Sequence, residues 1–399
     1  MKICFYALEH HSLGSGGGIA SYLDALVPEL TKFGHEVHLI VKGRVDNTRQ
    51  LDDKTVLHEF RGGNLHWYLS KLPLIGKHLA LPIRELEWSL GFYRTLESIK
   101  KKYQFDLIES SETGNLLTAL FEKKIPLVIR LHGSTYSFEK STKGAASFGA
   151  RLDRILQRYS FKRAKGITSP SEFQKRLFEN EHIGTVNIEV IPNPVSMEDS
   201  PGFQLPNNSP KTIFYAGRIA DVKGIWPLLK AFTQVAEMFS NVRLIMAGAP
   251  HVSIPTKAIE RFIDEHNIRN KVELPGYIQK DKIKEYYKMC SVYVVPSYYE
   301  TFCISAIEAM IYGKPVIASK YTALEEIVED GKTGLLVPRG DDRSLADALV
   351  KLLTDDELAK RMGEAGREKV LKEYQPSFIA QGTLKFYEEV LAKITTVNR

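Results

Sequence analysis

The chain contains three cysteines, Cys4, Cys290 and Cys303, and no C-x-x-C pair. So sparse and odd a set excludes a disulfide framework and a cysteine-based zinc site, and it points to a reducing compartment. No apolar run approaches the roughly 20 residues of a membrane-spanning helix. The opening residues 1–11 are interrupted by Glu9 and two histidines and lack the apolar core of a signal peptide. The expected location is the cytoplasm. D-x-D, a carboxylate pair that clamps metal-bound phosphates, occurs nowhere, and His10-His11 have no obvious third or fourth ligand. No metal is expected.

What is present is ordinary globular material. Of the 399 residues, 43% are hydrophobic and 26% charged, enough to bury the cores of two or three domains. The formal net charge of +6 favours anionic partners: nucleotide phosphates, a membrane surface or nucleic acid. No basic motif interleaved with aromatics is found, which excludes nucleic acid from the expected partners.

Residues 2–8 form a short apolar run. The glycines Gly14, Gly16, Gly17 and Gly18 follow, then an amphipathic stretch at 19–33 and a second apolar run at 36–41. Strand, glycine loop, helix and strand are the start of a parallel α/β sheet. The same order recurs midway, with a strand at 212–216, a turn at 217–224, a helix at 226–239 and a strand at 242–247. The five prolines within 192–210 place a linker between the two beginnings. The spacing therefore predicts two Rossmann-like domains, 1–195 and 211–375. In the second, strands are expected at 292–296 and 315–319, with helices at 303–311 and 341–370. A last helix, within 377–399, is expected after the break at Tyr374-Gln-Pro.

The glycine cluster fails the dinucleotide test. G-x-G-x-x-G/A from Gly14 or Gly16 would need a small residue where Ile19 or Ser21 stands, and the second strand lacks the acid that binds a ribose. Gly16 to Gly18 serve either as a loop that lets a backbone approach a ligand or as a tight strand–helix turn. Gly331-Lys-Thr-Gly334 lacks the first glycine of a phosphate loop, since Glu326 stands there, and reads as a turn.

The most informative stretch joins a strand to a helix: Ser297-Tyr-Tyr-Glu300-Thr-Phe-Cys303-Ile-Ser305-Ala-Ile-Glu308. The first turn of that helix would present amides near Cys303 to Ser305 as a phosphate cradle. Glu300 and Glu308 flank it, and carboxylates suit the vicinal hydroxyls of sugars on either side of a diphosphate. Arg218 and Lys223 border the turn after the first strand of the second half and suit the diphosphate itself. His132 follows an apolar run, where parallel sheets bind ligands. Each feature also has a plain structural reading, as turn charges, helix charges or a packed histidine.

Taken together, the segments resemble the GT-B retaining glycosyltransferases of family four. The pieces appear in the family's order: Gly16-Gly-Gly18; Leu131-His-Gly133; Ser169-Pro-Ser-Glu-Phe; Val190-Ile-Pro-Asn-Pro194; Ala216-Gly217-Arg218 with Lys223-Gly224; Leu274-Pro-Gly-Tyr277-Ile278; Glu300 and Glu308; and Asp330-Gly-Lys-Thr-Gly-Leu-Leu-Val337. The resemblance implies two Rossmann-like domains facing each other across a cleft, with the last helix crossing back to the first. It implies Glu300 on the donor sugar, Glu308 on the ribose, and Arg218 and Lys223 on the diphosphate. Amides of Phe302, Cys303, Ile304 and Ser305 would contact sugar and phosphate, the backbone near Tyr277 and Ile278 would face the base, and His132 would lie near the sugar. Gly16, Gly17 and Gly18 would close over the phosphate and acceptor.

The implied activity is hexose transfer with retention from a nucleotide-sugar, with UDP-glucose the leading donor, to a glycan or lipid-linked glycan of envelope or extracellular polysaccharide. The nucleotide-sugar is a substrate, and no cofactor is expected. Cys303, Thr322-Ala323 and Pro194 depart from glycines common in the family, and adjusted donor preference or hinge geometry is expected there. The competing readings are a GT-B sugar-nucleotide 2-epimerase and a non-catalytic nucleotide-sugar binder.

Two stretches suggest contact with an anionic membrane. Residues 65–103 mix Trp67, Tyr68, Leu72, Leu74, Ile75, Trp88 and Phe92 with Lys71, Lys77, Arg84 and Lys100 to Lys102. In 151–165, helical spacing places Arg151, Arg154, Arg158 and Lys162 on one edge, with Leu152, Ile155, Leu156 and Tyr159 on the adjacent face.

Overall fold

The computed structural model describes residues 1–13, 16–72, 75–133, 135, 137–139, 146–181, 187–197 and 210–397. Gly14, Leu74 and most of the expected linker lie outside them, as do the side chains of Ile75 and Lys77. The chain folds as two compact units, Met1–Ser196 with Pro376–Arg399, and Met197–Gln375.

Among the described residues, the first unit holds an eight-stranded sheet ordered β3-β4-β2-β1-β5-β6-β7-β8. Its strands are β1 (Lys2–Ala7), β2 (Glu36–Gly43), β3 (Asn47–Asp52), β4 (Thr55–Arg61), β5 (Leu107–Ser111), β6 (Leu127–Arg130), β7 (Gly166–Ser169) and β8 (Ile188–Val190). All pairings are parallel except β3 with β4. Strand β1 is buried at five of its six positions, which is why it reads as a continuous apolar run rather than an alternation. The hairpin of β3 and β4 was not expected. Its outer strand, Asn-Thr-Arg-Gln-Leu-Asp, is polar and almost wholly exposed, so it carries no apolar period.

The last helix, Pro376–Val397, belongs to this unit. Its Ile379, Ala380, Leu384 and Tyr387 share a buried cluster with Tyr22, Leu23 and Leu26 of the helix Gly18–Lys32. Burying a large apolar side chain stabilises by about 1.5–3 kcal/mol, so this seam alone can hold the helix in place. A buried polar network reinforces it. The hydroxyls of Tyr22 and Tyr387 donate to the two oxygens of Glu109 at 2.8 and 2.6 Å. The Arg130 guanidinium lies 4.3 Å from the Tyr22 ring and donates to the Ile191 carbonyl and to Asn193 Oδ1, both at 2.8 Å. The Asn193-Pro194 corner is thus fixed by a side-chain acceptor.

The second unit, among its described residues, has a six-stranded parallel sheet ordered β11-β10-β9-β12-β13-β14. The strands are β9 (Lys211–Ala216), β10 (Val242–Ala247), β11 (Val272–Gly276), β12 (Val292–Val295), β13 (Val316–Ser319) and β14 (Gly334–Val337). The helix Ile225–Met238 buries Leu228, Leu229, Phe232 and Val235 against it, at i, i+1, i+4 and i+7. The stretch expected as one helix at 341–370 is two, Asp342–Thr354 and Asp356–Glu373. Asp355 divides them: its carboxylate accepts the amide of Leu358 and starts a new helix.

In each sheet the strand order reverses beside the first strand. The reversals lie between β1 and β5 and between β9 and β12. Ligands of open α/β sheets bind outside the carboxyl ends of the strands at such points.

Candidate active site

The β9/β12 reversal gathers most of the residues singled out from the sequence. After β9, the Gly217 amide donates to the Ala247 carbonyl at 2.9 Å, and the buried Tyr215 hydroxyl donates to the Arg218 carbonyl at 2.7 Å. The Arg218 side chain is left exposed. The chain then makes a short turn through Asp221–Lys223 and enters the helix Ile225–Met238 at Gly224. Gly224 has φ 70°, and a Cβ there would lie 1.9 Å from the Pro296 carbonyl oxygen. Only glycine fits both the left-handed backbone and that approach. It lets the turn after β9 press against the loop after β12, where the Tyr298 amide donates to the Val222 carbonyl at 2.8 Å.

That contact brings Lys223 to Glu300. The ammonium donates to Glu300 Oε1 at 2.6 Å, and the buried Ser297 hydroxyl donates to the same oxygen at 2.8 Å. Both side chains keep partial exposure, 22% for Lys223 and 11% for Glu300, so the pair is reachable from solvent. The Glu300 carbonyl accepts the amide of Ala323 at 3.1 Å, and Thr322 donates its hydroxyl to the Ser319 carbonyl at 3.1 Å. The Thr-Ala pair that replaces the family's glycines therefore anchors the Glu300 loop.

Cys303 is the N-cap of the helix Ile304–Ile311, with φ −152°. That backbone is open to any residue, so replacing glycine there costs no strain. Burial, and then Glu300 nearby, push its thiol up to about 12, so it stays protonated and is no nucleophile. Phe302 is buried and meets Tyr374 edge-on. The first amides of this helix, including those of Ile304 and Ser305, have no carbonyl of their own helix to bind and suit an anion.

Glu308 lies one turn further along. Its Oε2 accepts the hydroxyl of the buried Tyr287 at 2.8 Å, from the helix Lys280–Met289. Tyr277 and Ile278 follow the carboxyl end of β11, with Tyr277 exposed. Ser297, which orients Glu300, stood in the motif stretch without a role, and Tyr287, which orients Glu308, is a helix tyrosine that carried no signal in the sequence.

The remaining candidates lie in the first unit. Gly17 caps the helix Gly18–Lys32 without a side-chain bond, and Gly16 and Gly18 are exposed. His132 follows β6, and its amide donates to Glu112 Oε2 at 2.9 Å. Its ring meets Tyr22 of that glycine-capped helix edge-on at 5.7 Å. Burial, and then the Arg130 charge, lower the imidazole to about 3, so it is neutral at physiological pH. It is suited to hydrogen bonding rather than to supplying charge. Among the described residues, no group of three or more His, Cys, Asp or Glu side chains is arranged to hold a metal ion.

A loop with a buried glutamate paired to a partly exposed lysine, an exposed arginine and a helix N-terminus at a sheet's switch point has the chemistry to hold a sugar diphosphate. Residues 16–199 match the family Glycosyltransferase Family 4, and residues 196–369 match Glycosyl transferases group 1. The chain is 24% identical over 396 residues, 95% of its length and 99% of the other's, to the 2-deoxystreptamine N-acetyl-D-glucosaminyltransferase of Niallia circulans. Its fold is similar to that of sucrose-phosphate synthase from Thermosynechococcus elongatus, with TM-score 0.81 at 22% identity, covering 98% of this chain and 99% of that one. It is also similar to that of Anabaena HepE in complex with UDP-glucose, with TM-score 0.71 at 18% identity, covering 98% and 100%. The chain is a glycosyltransferase of the GT-B fold, its first half matching family four and its second half group 1.

Proposed function

We propose that the protein transfers a hexose, with retention of configuration, from a UDP-sugar to a hydroxyl of a glycan or lipid-linked glycan during envelope or extracellular polysaccharide synthesis. The observation that carries this reading is the Lys223–Glu300 pair beside Arg218 and the first turn of Ile304–Ile311. Glu300 serves the sugar hydroxyls, Glu308 the ribose, and Arg218 and Lys223 the diphosphate. The acceptor oxygen bonds to the anomeric carbon on the face from which the nucleotide departs. The carbon–oxygen bond to phosphate breaks, and a phosphate oxygen takes the acceptor's proton. The protein supplies position and counter-charge. UDP-glucose is the leading donor, supported by the UDP-glucose complex of the Anabaena neighbour.

No metal enters this mechanism, because Arg218 and Lys223 provide the counter-charge. Transfer from UDP-glucose should therefore persist in saturating EDTA, with product made only when acceptor is present and with the donor's anomeric configuration. Activity lost in EDTA and restored by manganese would overturn metal independence. An inverted product would overturn retention, and a 2-epimer formed without acceptor would replace transfer by epimerisation. A thermal-shift screen of nucleotide-sugars identifies the donor, since ligands of the native state raise its unfolding midpoint.

The first unit is the acceptor side in this reading, working in the cytoplasm at the inner face of a membrane. Among the described residues, no helix is long and apolar enough to cross one. Contact from one side has support from an inverted helix, Phe148–Arg163. Its buried side includes Asp153, Gln157 and Ser160, while Phe148 and Ile155 are 57% and 60% exposed. Trp67, Tyr68 and Leu72 are exposed as well, with the Lys71 ammonium 3.4 Å from the centre of the Trp67 ring.

Several residues expected on this surface are not on it, Arg84 and Lys100 among them, paired with Asp153 and with Glu97 and Glu122. Phe92 is fully buried and stacks on Tyr6, Trp88 is half-buried beside Lys42 and Arg84, and Arg154 bonds Glu181. They face inward because their helices pack on β-strands or loops there. The double variant Arg151→Gln, Arg158→Gln should reduce sedimentation with anionic liposomes by about 1 kcal/mol per charge. Protein left in the supernatant at low salt with strongly anionic vesicles would refute membrane contact.

A further inference from the structure

A cavity lies in the first unit, and none of the residues singled out for the transfer site lines it. It has a volume of about 600 Å³ and opens between the β3–β4 hairpin and residues 91–99 of the helix Ile75–Tyr103. Its size is that of a site for a small ligand. At its base, a Cβ on Gly91 would lie 2.2 Å from the Phe60 ring, so glycine lets helix and buried ring meet, and the half-buried Ile99 is the apolar side chain left within reach of the cavity.

The walls are polar, with two carboxylates, Asp46 and Glu59, and two guanidiniums. Asp46 and Glu59 point to their own hairpin: Asp46 accepts the Arg61 amide at 2.8 Å, and Glu59 the Arg44 amide at 2.7 Å. His58 has both ring nitrogens engaged, by Thr48 and His38, and burial lowers it to about 4, so it adds no charge. The Ser98 hydroxyl donates to the Thr95 carbonyl at 2.7 Å and keeps its lone pairs for a ligand's hydroxyl. That leaves two guanidiniums on the walls, Arg61 and Arg94, both exposed and neither bonded to an acceptor among the described residues. Guanidiniums bind carboxylates and phosphates through paired N–H donors.

We propose that this cavity binds an acidic oligosaccharide, with a ring face against Ile99, ring hydroxyls on Ser98, and a carboxylate or phosphate substituent on Arg61 and Arg94. On the proposed function above it is a second glycan site in the acceptor unit, lined by none of the transfer-site residues, and its readout is binding rather than turnover.

The test is calorimetry on the full chain at low salt with tetragalacturonate, and with maltotetraose as its neutral counterpart. Inorganic phosphate serves as competitor to separate the bare anion from the sugar chain. Tetragalacturonate should bind, UDP should not displace it, and phosphate should compete only weakly. Arg61→Gln and Arg94→Gln should each weaken binding about tenfold, the effect of losing one charged hydrogen bond. Both side chains are exposed, so unfolding midpoints should not change. The proposal fails if tetragalacturonate does not bind, if both variants bind it as wild type does, if UDP displaces it, or if maltotetraose or phosphate alone binds equally well.

Discussion

Glu300→Ala is expected to lower transfer by about 10²–10³-fold, the usual cost of losing one preorganised polar contact to the transition state, while leaving binding of free UDP intact or tighter. The reason lies in its partner. Glu300 neutralises Lys223 through a 2.6 Å contact, so removing the carboxylate leaves a half-buried ammonium seeking an anion. A free diphosphate supplies one, and only the sugar loses its acceptor. Glu308→Ala should do the opposite. It should weaken binding of free UDP by about 1.5–3 kcal/mol, the range for a hydrogen bond to a charged group. It also strands the buried Tyr287 hydroxyl, which donates to Glu308 at 2.8 Å, so part of the effect is local. Glu308→Gln keeps an acceptor for Tyr287 and separates the two contributions. Calorimetry of UDP on the variants decides the matter. Equal loss of UDP affinity in Glu300→Ala and Glu308→Ala would refute the division of roles.

Arg218→Ala is expected to lower kcat about 100-fold, with a smaller effect on KM, if its guanidinium stabilises charge that develops on the departing phosphate. Its side chain is exposed, and its structural bond is made by its backbone carbonyl to Tyr215, so the variant should fold normally. Lys223→Ala is a less clean probe. It leaves the Glu300 carboxylate at 11% exposure with the Ser297 hydroxyl in place of a cation, and stability should fall along with activity. Single-turnover rates at saturating donor test both variants. An unchanged Arg218→Ala rate would remove that residue from the site.

The α/β class was legible because β1 and β9 are short apolar runs followed by glycine turns and amphipathic helices, and each of those signals is local. The β3–β4 hairpin was not legible, since a polar edge strand is held by backbone bonds that leave no side-chain period. The division of 341–370 at Asp355 was also missed. Leu352, Leu353 and Ala359 are all buried, so the apolar pattern runs on across the N-cap that starts a new helix.

The polarity of Phe148–Arg163 was decided by its neighbours. Spacing placed Ile155 and Tyr159 together on one face, but it could not say whether that face turns inward. The structure turns Asp153 and Gln157 inward instead, where Gln157 donates to Asp153 at 3.1 Å.

By itself, the sequence determined the two strand–loop–helix beginnings, the helix that starts near Cys303, and the residue types available for diphosphate and sugar chemistry. These follow from contacts a few residues apart, which periodicity and capping record directly. The tertiary structure alone decided that Lys223 meets Glu300, 77 positions away, and that Tyr287 orients Glu308. Those meetings depend on β9 lying beside β12, and on a glycine at 224 letting one loop touch another. Strand order is set by how whole helices and strands pack into a common core, and no local spacing carries that information.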